Sequence, residues 1–132
     1  MKIEHFAFNV ADPVAVAAWY TEHFDMRVAR SLDKAPFTHF LADSSGAVMI
    51  EIYNNPADEV PPYGEMNPLL LHLAFVCKEP ETSREKLEKA GASFVDEVRL
   101  NDGSHLVMMR DPWGLAIQLC KRGQPMLEVE GT

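Results

Sequence analysis

The residues able to do chemistry come in matched pairs. His5 leads into Phe6-Ala7-Phe8 and His72 into Leu73-Ala74-Phe75, so His, Ala and Phe recur in one order 67 residues apart. The same offset carries Ile50-Glu51-Ile52 onto Ile117-Gln118-Leu119 and Asp12-Pro13 onto Glu79-Pro80. Two imidazoles and a carboxylate suit a borderline divalent metal such as zinc, nickel, cobalt, iron or manganese. Gln118 can add a carbonyl oxygen, and water can fill what remains. An open position is what lets such an ion act as a Lewis acid. Taken singly, a strand histidine is ordinarily structural, and a lone glutamate among isoleucines is ordinarily a rim charge. The paired recurrence is what singles these four out.

A repeat of this period fixes the architecture that must position them. Residues 2–10 read as a strand, with Phe6, Phe8 and Val10 on one face and His5, Ala7 and Asn9 on the other. Asp12-Pro13 supplies an N-cap and a proline at the first helical position, so residues 13–24 form a helix. Strands follow at 26–32, 37–42 and 47–54, divided by turn residues at 33–36 and 43–46. The second module repeats the plan: a strand at 69–76, a helix at 80–90 ended by Gly91, and strands at 93–98, 105–110 and 115–121. The expected class is α+β, two tandem βαβββ modules making one cupped mixed sheet within a single domain. Module one spans 1–53, a proline-rich connection 54–68, module two 69–122, and a loose tail 123–132.

Alternation sorts the polar residues. In the fourth strand Val48, Ile50 and Ile52 turn to the helix, leaving Met49, Glu51 and Tyr53 opposite. In the strand at 69–76, Leu71, Leu73 and Phe75 turn to the helix, leaving His72 and Ala74. In the last strand Leu115, Ile117 and Leu119 do so, leaving Ala116, Gln118 and Cys120. His5, Glu51, His72 and Gln118 are therefore expected on faces the helices leave bare, converging inside the cup. Ala7 and Ala74 leave room beside each imidazole.

Bulk properties narrow the function. The 132 residues carry a formal net charge of −8, which argues against a nucleic-acid partner. No apolar run has the length of a bilayer span, and the N-terminus lacks a signal-peptide pattern, so the expected location is the cytoplasm. Cys77 and Cys120 are too few for a disulfide framework and lack metal-pair spacing, which leaves them as buried thiols.

With the duplication, the early strand histidine, AVMIEIYNN around Glu51, LLLHLAF and the ending DPWGLAIQL, the chain resembles the vicinal oxygen chelate superfamily. That superfamily includes glyoxalase I, the bleomycin-resistance proteins and the extradiol dioxygenases. The resemblance runs from Ile3 to about Lys121. It implies that His5, Glu51, His72 and Gln118 are the metal ligands, with Gln118 where the family commonly has glutamate. Glutamine cannot accept a proton at neutral pH, so Glu51 is implied as the catalytic carboxylate. Asn55 resembles an asparagine that holds glutathione in glyoxalase I, while Asn9 stands where that enzyme has an arginine. Tyr53 and His105 are implied as substrate-binding or acid–base groups.

The leading expectation is a metal-dependent lyase or isomerase acting on a small substrate with vicinal oxygens. Extradiol-type ring cleavage is the first alternative. A metal-free binding protein of the bleomycin-resistance type, with Met49, Tyr53, Met66 and Trp113 lining its pocket, is the second. The resemblance also implies a homodimer.

Overall fold

The computed structural model describes residues 1–127; residues 128–132, the end of the expected tail, lie outside the described residues. The chain divides into two compact units, Met1–Pro61 and the residues from Pro62 onward. The first unit holds β1 (His5–Asn9), α1 (Pro13–His23), β2 (Arg27–Ser31), β3 (His39–Ala42) and β4 (Met49–Tyr53). Its sheet runs β1-β4-β3-β2, with β1 parallel to β4 and the other pairs antiparallel. The second unit holds β5 (Leu73–Val76), α2 (Pro80–Lys89), β6 (Ser93–Arg99), β7 (His105–Arg110) and β8 (Ala116–Lys121), in the order β5-β8-β7-β6. A single 3-10 turn, Tyr63–Glu65, precedes β5. Each unit is thus a βαβββ module closed into a four-stranded mixed sheet.

Local chemistry explains the elements. Asp12 caps α1 by accepting from the Ala15 amide at 3.1 Å, and Pro13 takes the first turn, where its missing N–H costs nothing. Val16, Ala17, Trp19 and Tyr20 fall on the buried side of α1 and close over Leu41 and Ile52. In the second unit Val107, Met109 and Ile117 form the equivalent core. The helix there is mostly charged, and Arg84 lays its guanidinium over the Phe94 ring at 3.5 Å. Gly91 leaves α2 with φ +104, a conformation that favours glycine.

The duplication extends to hydrogen-bond register. Ala7 pairs with Glu51 in the first sheet, and Ala74 pairs with Gln118 in the second. Both outer strands also carry an irregularity at the corresponding point, between Val28 and Arg30 and between Phe94 and Asp96.

Two expectations change. The strand expected at 69–76 begins only at Leu73, because Asn67 turns the chain: its side-chain oxygen accepts from the Leu69 amide and its carbonyl from Leu70, both at 2.9 Å. Leu69 and Leu70 are consequently exposed turn residues rather than strand residues. Phe6 has the expected parity but stays 53% exposed, since β1 is an edge strand and α1 lies chiefly over β3. Among the described residues no helix is long and apolar enough to cross a membrane.

Candidate functional site

In the first unit, β1 and β4 run side by side and set His5 and Glu51 on the face opposite α1. His5 Nε2 lies 4.0 Å from Glu51 Oε1, with the side chains 35% and 19% exposed. Ala7, directly across from Glu51, is too small to fill the space above it. The His5 ring meets Phe40 edge-on at 5.6 Å between centroids, and Phe40 is the β3 partner of Glu51.

The second ring nitrogen of His5 is held: Nδ1 lies 2.8 Å from Glu4 Oε1. His72, just ahead of β5, has Nδ1 2.8 Å from the Pro68 carbonyl oxygen. A carbonyl or carboxylate oxygen can only accept, so Nδ1 carries the proton in both rings. Nε2 is then the nitrogen left to each ring for binding. A histidine braced through one nitrogen by a carboxylate or carbonyl, with the other free, is the usual disposition of a metal-ligating imidazole. His39 is braced similarly by the Phe37 carbonyl, but it pairs with Ile52 and so belongs to the helix-covered face.

Gln118 is half-buried on β8, between Ala74 and Met108. Its Oε1 accepts from the Cys120 thiol at 3.2 Å, and burial pushes that thiol's pKa up, which keeps it protonated and able to donate.

The His5 and Glu51 donors can be compared with the spacing a divalent ion requires. Two bonds of about 2.1 Å at a tetrahedral angle put their donor atoms about 3.4 Å apart. The 4.0 Å between His5 Nε2 and Glu51 Oε1 is within a small side-chain adjustment of that. Among the described residues no three His, Cys, Asp or Glu side chains gather as a metal-holding group. The first unit offers one imidazole and one carboxylate, and the second offers the imidazole of His72 and the amide of Gln118.

The other expected residues divide. Tyr53, half-buried at the end of β4, keeps the parity of Glu51 and pairs with Asn9. Asn55 serves its own loop: Nδ2 donates to Asp58 Oδ2 at 3.0 Å, and Oδ1 accepts from the Ala57 amide at 3.0 Å. Asn9 grips the same loop, accepting from the Asn55 amide at 2.9 Å and donating to the Glu59 carbonyl at 3.2 Å. His105 is 4% exposed and pairs with Lys121, which gives it the parity of Ile117 and Leu119. It therefore occupies the helix-covered face rather than the face of Gln118. There Nε2 lies 2.8 Å from Glu97 Oε2, and this hydrogen bond holds the Glu97 carboxyl below its ordinary pKa.

Two further residues brace the second unit. Arg110 donates to the carbonyls of Tyr63, Met66 and Gly114 at 2.8, 2.8 and 3.0 Å, tying the segment before β5 to the sheet. Asp111 Oδ1 accepts from the Trp113 and Leu115 amides, each at 2.9 Å, and folds Asp111-Pro112-Trp113-Gly114 into the turn that launches β8. The turn was legible from Asp, Pro and Gly; the arginine's partners Tyr63 and Met66 were not, because they lie over forty positions away.

Against known proteins, a family model described as "Glyoxalase/Bleomycin resistance protein/Dioxygenase superfamily" matches residues 2–119. A sequence comparison with curated proteins gave no match. Among solved structures, a glyoxalase family protein from Bacillus cereus superposes with a TM-score of 0.78 at 15% identity, covering 92% of this chain and 94% of that one. A glyoxalase family protein from Enterococcus faecalis gives 0.70 at 22% identity, over 91% and 97%. TnmS3, an antibiotic binding protein from Streptomyces sp. CB03234, gives 0.70 at 14% identity, over 92% and 96%. These likenesses are of fold.

Proposed function

The chain belongs to the glyoxalase/bleomycin resistance protein/dioxygenase superfamily, and on that footing we propose that it is a metal-dependent enzyme of glyoxalase-like type. It acts as a lyase or isomerase on a small substrate with two vicinal oxygens. His5 and Glu51 supply one half of the ligand set for a divalent ion (zinc, nickel, cobalt, iron or manganese), and His72 and Gln118 the other. The observation that carries this reading is the bracing of both repeated histidines through Nδ1, so that Nε2 is the ring nitrogen left to bind. Such an ion, when bound, supplies Lewis-acid polarisation of the substrate's oxygens.

The chain's own groups do the rest. Glu51 is the one carboxylate among the four, so a proton taken from the substrate goes to a Glu51 carboxylate oxygen. Gln118 cannot take it; it offers amide hydrogen bonding, with its orientation held by the Cys120 thiol. The Tyr53 hydroxyl, two residues from Glu51 on the same side of β4, donates to a substrate oxygen. Asn55 and His105 are left out of this machinery because their side chains are bonded within the fold.

Two histidines and one carboxylate also make the donor count of a non-haem iron site. Ring cleavage is therefore the reading to adopt if the bound metal proves to be iron. The working unit is proposed to be a homodimer, and light scattering at micromolar concentration should give twice the chain mass.

Thermal melting tests the enzyme reading. After chelation, adding a divalent ion to 100 times its Kd should stabilise the wild type by about 2.7 kcal/mol. Glu51→Ala should respond far less. No response to any of the five ions in the wild type would replace the enzyme with the metal-free binding protein.

A further inference from the structure

The irregularity in β2 has a consequence for the face that carries Glu51. Arg27 pairs with Ala42, Val28 with Leu41 and Arg30 with Phe40. Residues three apart on a regular strand point to opposite faces. The extra residue at position 29 resets the alternation, so Arg27 and Arg30 share one face. That face is the one bearing Glu51, because Phe40 is the β3 partner of Glu51 and the His5 ring meets Phe40 edge-on. Across the ladder, one row reads Glu51, Phe40, Arg30. Two strand spacings, about 10 Å, separate its ends, a span that an arginine side chain leaning inward reduces by more than half.

The arginines are not demanded by the fold. The second sheet has the same irregularity at the same place, and its row reads Gln118, Met108, Asp96, with Ser93 where the first has Arg27. Among the described residues neither guanidinium has an ion-pair partner, although the chain carries a net charge of −8. Two exposed guanidiniums on one face, one of them on the residue paired with Phe40, have the chemistry to receive an oxyanion.

We propose that Arg27 and Arg30 bind a carboxylate or phosphate group at the far end of the substrate, so that the substrate class is anionic and several atoms long. The proposal rests on the reading of the His5 and Glu51 face as the substrate face. It makes the two arginines specificity-determining residues, set by a strand irregularity that the second module keeps for a different charge.

The probes are 2-oxoglutarate and 2-oxopentanoate, which share the vicinal oxygens and differ only in a terminal carboxylate against a methyl group. Calorimetric titration of the wild type should show 2-oxoglutarate binding about tenfold tighter or more, and Arg27→Gln/Arg30→Gln should abolish that preference. Both side chains are exposed, so the variant should melt with the wild type, which separates lost recognition from lost folding. Competition by acetate and by inorganic phosphate identifies which oxyanion the pair favours; displacement by either supports the assignment. A wild type that binds neither probe or shows no preference, or a variant that keeps the preference, overturns it. Metal content is measured on the same samples. Metal without an oxyanion preference fails this proposal alone, and the preference without metal fails only the metal-dependent reading.

Discussion

Glu51 and Gln118 occupy one position of the repeat and differ by the exchange of an oxygen for an amide nitrogen, which removes a charge and a titratable site. Each faces an alanine in register and has a braced histidine on its module. Gln118→Glu should therefore tighten divalent-metal binding, by about tenfold or more, since a carboxylate is the harder and charged donor. A competition titration reads this directly, and weaker binding would mean that Gln118 is no ligand. Glu97 gives a pH prediction. Its carboxyl is held below the ordinary value of 4.5, first by the hydrogen bond to His105. A depressed carboxyl contributes stability that is full above its unfolded value and lost as pH falls through the lower folded one. Glu97→Gln should flatten the acid arm of the stability curve below about pH 4.5. Strand parity made the faces of His5 and Glu51 legible in sequence. The bracing of the histidines was not, because it depends on a neighbouring rotamer at Glu4 and a turn at Asn67.

Among the elements, the Asp111-to-Gly114 turn sets where β8 begins and so where Gln118 stands. Gly114 has φ +98, and a Cβ there would meet the Gly64 backbone at 2.6 and 2.7 Å. The opposing atoms are main chain, which Arg110 fastens through the Tyr63 and Met66 carbonyls. Gly114→Ala should cost about 2 kcal/mol or more in a denaturant titration, from backbone strain and the clash together. A cost below half of that would mean the segment before β5 can retreat freely. Asp, Pro and Gly announced this turn in the sequence. The start of β5 was obscured, because an unbroken apolar run from Leu69 looks like strand while Asn67 turns the backbone out of it. An apolar run records burial tendency, and here a single side-chain acceptor overrode it.

For the molecule as a whole, the repeat is the legible feature: one offset in sequence becomes one register in both sheets. The shared irregularity of the outer strands could not be read, since nothing local in Arg-Val-Ala-Arg marks an extra residue. What the duplication predicts for function is a divided ligand set, two groups per module. The most direct measurement is the metal content of protein purified without chelator, wild type beside Glu51→Ala and His72→Ala. The account predicts a transition metal in near-stoichiometric amount in the wild type and its loss from both variants, one in each module. Metal retained by either variant, or absent from the wild type, would contradict it.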